Sequence, residues 1–240
     1  MAVLKIIGSG SKGNGYVIEC SEESIVIELG VSYKDFLKNT DLTSVSAALV
    51  SHKHADHFQK STATHFAKAR IPVYSNKDVA EYSSTYMQVS VVEKGMKYTA
   101  GGFSFQPIPL NHSAENFGYV INHDEIGKLV FVTDTSDFRY RIKDVNHWII
   151  EANYDPSIVI DNKLSPEGTR SNYSDHLSKQ QCIDALKENL FEGTRSITLI
   201  HLSDDNSNAE DFKKDVSLAL GFRNVNVAGI DNTVQTIKIS

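Results

Sequence analysis

The sequence is poor in residues that would tie it together covalently or anchor it in a membrane. Its only cysteines are Cys20 and Cys182, one in a strand-like context and one in a helical one. No disulfide framework is expected, and a reducing, cytoplasmic setting suits the chain. No apolar run approaches the roughly 20 residues needed to cross a bilayer, so no membrane partner is expected. The opening residues Met1-Ala2-Val3-Leu4-Lys5 have no basic segment leading into a long apolar core, and no secretion signal is read there. Positive charge is also in deficit: 24 Lys and Arg face 30 Asp and Glu, for a net charge of −6. That weighs against an extensive electrostatic grip on DNA, which rests on neutralising phosphates. It leaves room for a local basic groove or for metals that offset an acidic site.

What is present is ordinary for a globular protein, with 40% hydrophobic and 22% charged residues over 240 positions, enough to bury a real core. Apolar runs and turn residues predict strands at 3–7, 16–19 and 24–28, the last two a hairpin turning at Ser21-Glu22-Glu23. Further strands are expected at 45–50, 71–74, 119–121, 129–133, 148–151, 196–200, 225–227 and 234–239. Short strands fill 89–109, broken at Gly95 and Gly101-Gly102. Helices are expected at 33–38, 59–70 and 77–83. Two more open on capping-box spacings, Ser178 with Gln181 and Ser207 with Glu210, the second ending at Gly221. His65 is read as a bystander on its helix, His123 as solvated in a polar turn, and His147 has no assigned role. Strands with interspersed helices from end to end imply a single layered domain, 1–240, with helices outside two sheets.

The informative stretch is Ser51-His52-Lys53-His54-Ala55-Asp56-His57, placed after the apolar run 45–50. Three imidazoles and a carboxylate this close are costly to hold without a compensating charge. A divalent cation supplies that charge, and neutral His with Asp suits Zn²⁺ or Mn²⁺. His52 and His54 can turn toward one ion, Asp56 and His57 toward its neighbour. Three more strand ends carry ligand-type residues: His112 after 110, Asp134 after Leu129-Val130-Phe131-Val132-Thr133, and His201 after Ser196-Ile197-Thr198-Leu199-Ile200. A lone residue of this kind is most often a cap or a surface group. Four strand ends together are a joint signal, and Asp134 is placed to bridge two ions. The glycine-rich Gly8-Ser9-Gly10-Ser11-Lys12-Gly13-Asn14-Gly15 could cradle a phosphate through its N–H groups. It lacks the strand-to-helix context of a nucleotide fingerprint, however, and reads first as a tight loop between strands, with a role at a site mouth the alternative.

The set His52, His54, Asp56, His57, His112, Asp134 and His201 resembles the metallo-β-lactamase superfamily along essentially the whole chain. Finer features, Gly8 to Asn14, Thr133-Asp134-Thr135, Glu151-Ala152-Asn153-Tyr154-Asp155, Asp175-His176-Leu177-Ser178 and His201-Leu202-Ser203, are similar to the YycJ/WalJ branch of DNA exonucleases, which sits near RNase Z and other phosphodiesterases. The resemblance implies an α/β fold, an αββα sandwich of two mixed sheets flanked by helices, with two metal ions at one edge. It implies that His52, His54 and His112 hold one ion, that Asp56, His57 and His201 hold the second, and that Asp134 bridges them. It also implies a homodimer, since related phosphodiesterases often dimerise. The chain departs from the family pattern at Glu28-Leu29-Gly30, where Asp-x-Gly is usual, at Tyr154 in place of a His, and at Ser207 in place of an Asn. Viral relatives of RNase Z hydrolyse cyclic nucleotides, which makes a cyclic nucleotide the alternative substrate to nucleic acid. A thioester or lactam ranks lower.

Two-ion phosphodiester hydrolysis has a hydroxide attack in line while the leaving alkoxide takes a proton. His176, two residues before a helix cap, is the candidate donor. It and Asp56 are the candidate catalytic groups. Lys12 and Arg170 are candidate phosphate contacts, and Tyr154 and Tyr173 candidate surfaces for stacking a base.

Overall fold

Apolar runs such as Ile25-Val26-Ile27 and Leu129-Val130-Phe131-Val132 have no polar face, and the fold gives them none to expose. Successive strand residues point to opposite sides of a sheet. Ile25, Ile27, Leu129 and Phe131 therefore enter one core, while Val26 enters a second and Val130 and Val132 a third. Strands buried on both faces need covering layers, and helices supply them. The computed structural model describes residues 1–161, 175–229 and 233–240, without the side chains of residues 160 and 161.

The first sheet contains β1 (Val3–Gly8), β2 (Gly15–Glu19), β3 (Ser24–Ile27), β4 (Val45–Leu49), β5 (Val73–Ser75), β6 (Ser90–Val91) and β14 (Gln235–Lys238). Its order is β14-β1-β2-β3-β4-β5-β6. The second contains β7 (Tyr98–Ala100), β8 (Phe103–Leu110), β9 (Asn116–His123), β10 (Gly127–Val132), β11 (His147–Glu151), β12 (Ser196–Ile200) and β13 (Val225–Val227). Its order is β13-β12-β11-β10-β9-β8-β7. Both are mixed: β14 to β3 and β7 to β10 pair antiparallel, and β3 to β6 and β10 to β13 pair parallel. The sheets face each other across Leu4, Tyr16, Leu49, Phe105, Tyr119 and Phe131. Helices α1 (Tyr33–Asn39), α2 (Lys60–Lys68) and α3 (Lys77–Ser83) follow elements of the first sheet. Phe36, Phe66 and Val79 pack on its outer face. Helix α4 (Pro156–Asp161) follows β11. Helices α5 (Lys179–Lys187) and α6 (Ala209–Leu220) cover the second sheet with Ile183, Leu186, Phe212 and Val216. This is the α/β/β/α sandwich of the metallo-β-lactamase fold.

Two local expectations meet different outcomes. The box at Ser178 forms in full: its hydroxyl accepts from the Gln181 N–H, and the Gln181 side chain accepts from the Ser178 N–H. The second helix starts one residue later than its spacing predicts. Asn208 is the cap, accepting from the N–H groups of Glu210 and Asp211, while the Ser207 hydroxyl donates back to the Ser203 carbonyl. Asn is as good a cap as Ser, and Ser207 is engaged elsewhere.

The register decides where the site lies. β10, β11 and β12 run parallel with Val132 opposite Ile150 and Glu151 opposite Ile200. Their carboxyl ends therefore stand side by side, presenting Asp134, Glu151 and His201. In the first sheet Ile27 lies opposite Leu49, which places Glu28 beside the start of the His-rich loop. The ends of β1 and β8 open on the same edge.

Candidate metal centre

At this edge the backbone itself is unusual. Glu28, Asp134 and His201 adopt left-handed φ values of 66°, 47° and 55°, costing roughly 1–2 kcal/mol each for residues with a Cβ. All three are buried. Strain of this kind persists where surrounding structure over-determines it, commonly at functional sites.

His52 and His54 come from the loop after β4, and His112 from the end of β8. His54 Nδ1 lies 2.9 Å from His52 Nε2 and 3.2 Å from His112 Nε2. The other nitrogen of His112 is 3.2 Å from the Asp175 carbonyl, which only accepts, so that nitrogen carries the proton and Nε2 faces the cluster as a lone pair. Three ring nitrogens converging in this way form a set able to hold a cation. The spacing fits one, since nitrogens about 2.0–2.1 Å from a tetrahedral ion stand roughly 3.3 Å apart.

The second group is Asp56, His57 and His201. Asp56 Oδ2 lies 3.2 Å from His57 Nε2 and 3.4 Å from His201 Nε2. Asp134 stands between the groups and divides its oxygens. Oδ1 is 3.3 Å from His57 Nε2 and 3.5 Å from His201 Nε2, while Oδ2 is 3.9 Å from the Nε2 atoms of both His52 and His112. All seven residues expected from the sequence thus converge, as two clusters able to bind metal ions.

Charge follows geometry. Burial and the neighbouring His57 hold the His52 imidazole well below its usual range, and burial lowers His112. Burial would also lower His57 and His201, but facing carboxylates prevail. Asp134 and Glu28 raise His57 well above its usual value, and Asp134, Asp56 and Glu151 push His201 up to about 10. Burial opposes ionisation of Asp56 and Asp134; His201 and His57 overcome it and keep both carboxylates far below their ordinary range.

The supporting groups lie in stretches compared with the family above, but sequence alone assigns Glu151, Asn14 and Asn153 no individual role. Glu151, the last residue of β11, is fully buried. Its Oε2 accepts from the N–H groups of Thr135 and Leu177, and its Oε1 sits 2.5 Å from His176 Nδ1 and 3.5 Å from His201 Nδ1. The signal was available: it was one more ligand-type residue closing an apolar strand. Asn14 donates to the Asp56 carbonyl and lies 3.1 Å from His57 Nε2, and Asn153 donates to the His201 carbonyl. Gly30 permits the Asn14–Asp56 contact, because a Cβ there would stand 1.7 Å from the Asp56 carbonyl oxygen. Glu28 Oε1 and His57 Nδ1 are 3.5 Å apart, both buried and, among the described residues, without a hydrogen-bond partner. Such a pair suits a carboxylate orienting a metal-ligating ring.

His176 is brought to the site. Its ring stacks on His201 at 5.3 Å and lies 5.9 Å from His112. Burial would lower it, but the Glu151 charge raises it above the ordinary imidazole value. Lys12 is exposed and paired at 2.6 Å with Asp204. Tyr154 is buried and bridges Ser178 through its backbone. Arg170 and Tyr173 lie outside the described residues. Beside His112 a groove of about 890 Å³ opens, bordered by Lys77 and Lys94 but also by Glu93 and Glu115. Among the described residues no helix is long and apolar enough to cross a membrane.

A sequence profile described as the beta-lactamase superfamily domain matches residues 23–201. The chain is 26% identical over 232 residues to an exodeoxyribonuclease, YycJ, of Bacillus anthracis, covering 90% of this chain and 88% of that protein. Among solved structures it resembles the metallo-β-lactamase fold protein YhfI of Bacillus subtilis (TM-score 0.75, 16% identity, 99% of this chain and 100% of that one). It also resembles a diphosphatase of the PhnP family (TM-score 0.71, 14% identity, 100% and 98%).

Proposed function

The chain belongs to the beta-lactamase superfamily and is a metallo-β-lactamase-fold hydrolase, and we propose that it is a two-metal phosphodiesterase that degrades DNA as an exonuclease. The observation that carries this reading is the division of the Asp134 carboxylate between two histidine groups. His52, His54 and His112 would hold one divalent ion and Asp56, His57 and His201 the other, with Asp134 shared. Bound there, Zn²⁺ or Mn²⁺ would supply Lewis-acid polarisation of the phosphodiester and activation of the attacking water.

The protein's own groups do the rest. Glu151 holds the Nδ1 proton of His176, which leaves the Nε2 proton to pass to the departing alkoxide. The Glu151 charge raises His176 above the ordinary imidazole value, which favours the charged form that can donate. Asn14 and Gly30 fix the loop carrying Asp56. The exodeoxyribonuclease name of the Bacillus anthracis relative supports DNA as substrate.

A second reading, hydrolysis of a cyclic nucleotide, draws on the net charge of −6, the pairing of Lys12 with Asp204 and the mixed charge of the groove. A turnover panel with Mn²⁺ and Zn²⁺ over linear duplex, single strands, cyclic mononucleotides and bis-p-nitrophenyl phosphate separates the two. DNA hydrolysis that falls steeply with added salt is expected. Turnover of cyclic mononucleotides alone would favour the second reading, and no phosphodiester turnover would remove both.

A further inference from the structure

Far from this centre the structure gathers another set of ligand-type groups. β9 begins at Asn116, whose side chain donates to the Thr133 and Asp134 carbonyls, and ends seven residues later at His123. At about 3.4 Å per residue that end lies roughly 24 Å away, on the opposite edge. There His123 Nδ1 stands 3.2 Å from Cys20 Sγ, at the end of β2 in the facing sheet. Cys20, His123 and Glu125 bring a sulfur, a ring nitrogen and a carboxylate oxygen within 4.8 Å of one another.

Two features make this more than a chance encounter of side chains. The first is the state of His123. Its Nδ1 accepts from the Glu125 N–H at 3.2 Å, and its Nε2 faces Glu23 Oε1 at 3.5 Å. The carboxylate favours the proton on Nε2, as for a metal-ligating histidine. The single Nδ1 lone pair lies between the thiol and the Glu125 N–H, a contact that a bound metal would displace. The second is the space made for that carboxylate. Glu23 Oε1 accepts from the Gly102 N–H and Oε2 from the Ser46 hydroxyl, and a Cβ at Gly102 would stand 2.5 Å from Oε1 and 3.1 Å from His123 Nε2. Glu125 is itself oriented, its oxygens accepting from the N–H and hydroxyl of Ser21 and lying 3.5 Å from the Met1 amine. Burial and the two carboxylates push the thiol up to about 12; a bound cation would reverse that.

We propose that Cys20, His123 and Glu125 form a second, separate metal site that takes Zn²⁺ or another thiophilic divalent cation and clips the two sheets together at the edge opposite the candidate centre. Thiolate ligation selects Zn²⁺ and Co²⁺ over Mn²⁺, so the two sites differ in metal preference. Three protein ligands leave a fourth position for water.

Co²⁺ added to the full chain tests this directly, because a thiolate-to-cobalt charge-transfer band in the near ultraviolet needs a sulfur ligand and the candidate centre has none. Wild type is expected to show the band. Cys20→Ser and His123→Ala should lose it together with one equivalent of tightly held Co²⁺. Cys182→Ser, altered in the outer core, and Asp134→Asn should keep it. Glu125→Gln, the mildest change, should require about tenfold more Co²⁺ to develop it. Circular dichroism of each variant verifies folding. No band in wild type at saturating Co²⁺, a band that survives Cys20→Ser, or one that disappears in Cys182→Ser would each overturn the proposal.

Discussion

Glu151 Oε1 and His176 Nδ1 are 2.5 Å apart, and the other carboxylate oxygen is pinned by the N–H groups of Thr135 and Leu177. One buried acid thus fixes the ring of His176 and also touches His201. If this pair delivers a proton to the leaving group, His176→Ala should cost about 10²–10⁴-fold in turnover of a phosphodiester with a poor leaving group. It should cost far less with p-nitrophenolate, which needs no proton. An equal loss on both substrates would remove the proton-donor role.

Glu151→Gln tests the same relationship through pH. The carboxylate raises His176, so the acid form survives to higher pH with Glu151 than without it. The alkaline limb of the turnover profile should therefore move to lower pH in the variant. A limb that stays in place would mean that another group sets it.

Asp134 holds φ at 47°, a region that Asn tolerates better than Ala. Asp134→Asn is therefore the cleaner variant: far-UV dichroism should be retained while metal-dependent hydrolysis falls to background. Retained turnover would exclude a bridging carboxylate.

Gly30→Ala isolates the packing under the metal loop. Its new Cβ would meet the Asp56 carbonyl and the Asn14 amide nitrogen, so the loop must move. A loss of about 1–3 kcal/mol is expected in denaturant unfolding, together with weaker metal binding. An unchanged unfolding midpoint would show that the loop yields without cost.

The seven candidate ligands were legible because each closes or follows an apolar run, and parallel strands in register bring such ends together. Glu151 obeys the same rule and lies in a family-like stretch, but nothing local assigns it a role, which its contacts with His176 and His201 supply. His123 looked solvated because its turn, Asp124-Glu125, is polar. Its partner Cys20 is 103 residues away, and no local pattern encodes that meeting. Asn208 rather than Ser207 caps α6, a one-residue choice settled by where the Ser207 hydroxyl finds a carbonyl. Arrangement across the sandwich, unlike periodicity along a strand, is a tertiary property.

The charges predict how pH acts on protein stripped of metal by chelator. His201, raised to about 10, contributes stability that is complete below the ordinary imidazole value of about 6.5 and is lost as pH rises toward 10. Asp56 and Asp134, depressed, contribute above about 4 and lose it on acidification. Burial keeps His52 and His112 neutral, which penalises acid below about 6.5. The stripped protein should therefore melt highest near pH 6–7. Metal binding should release protons and tighten as pH rises, because His57 and His201 must give up theirs. Calorimetry in buffers of different ionisation enthalpy measures the release, and heats independent of buffer would contradict this charge pattern.

The most direct measurement is anomalous diffraction from crystals equilibrated with Mn²⁺. Two peaks are predicted, one among His52, His54 and His112 and one among Asp56, His57 and His201, each touched by a different oxygen of Asp134. A single peak, or peaks that leave Asp134 untouched, would contradict the account.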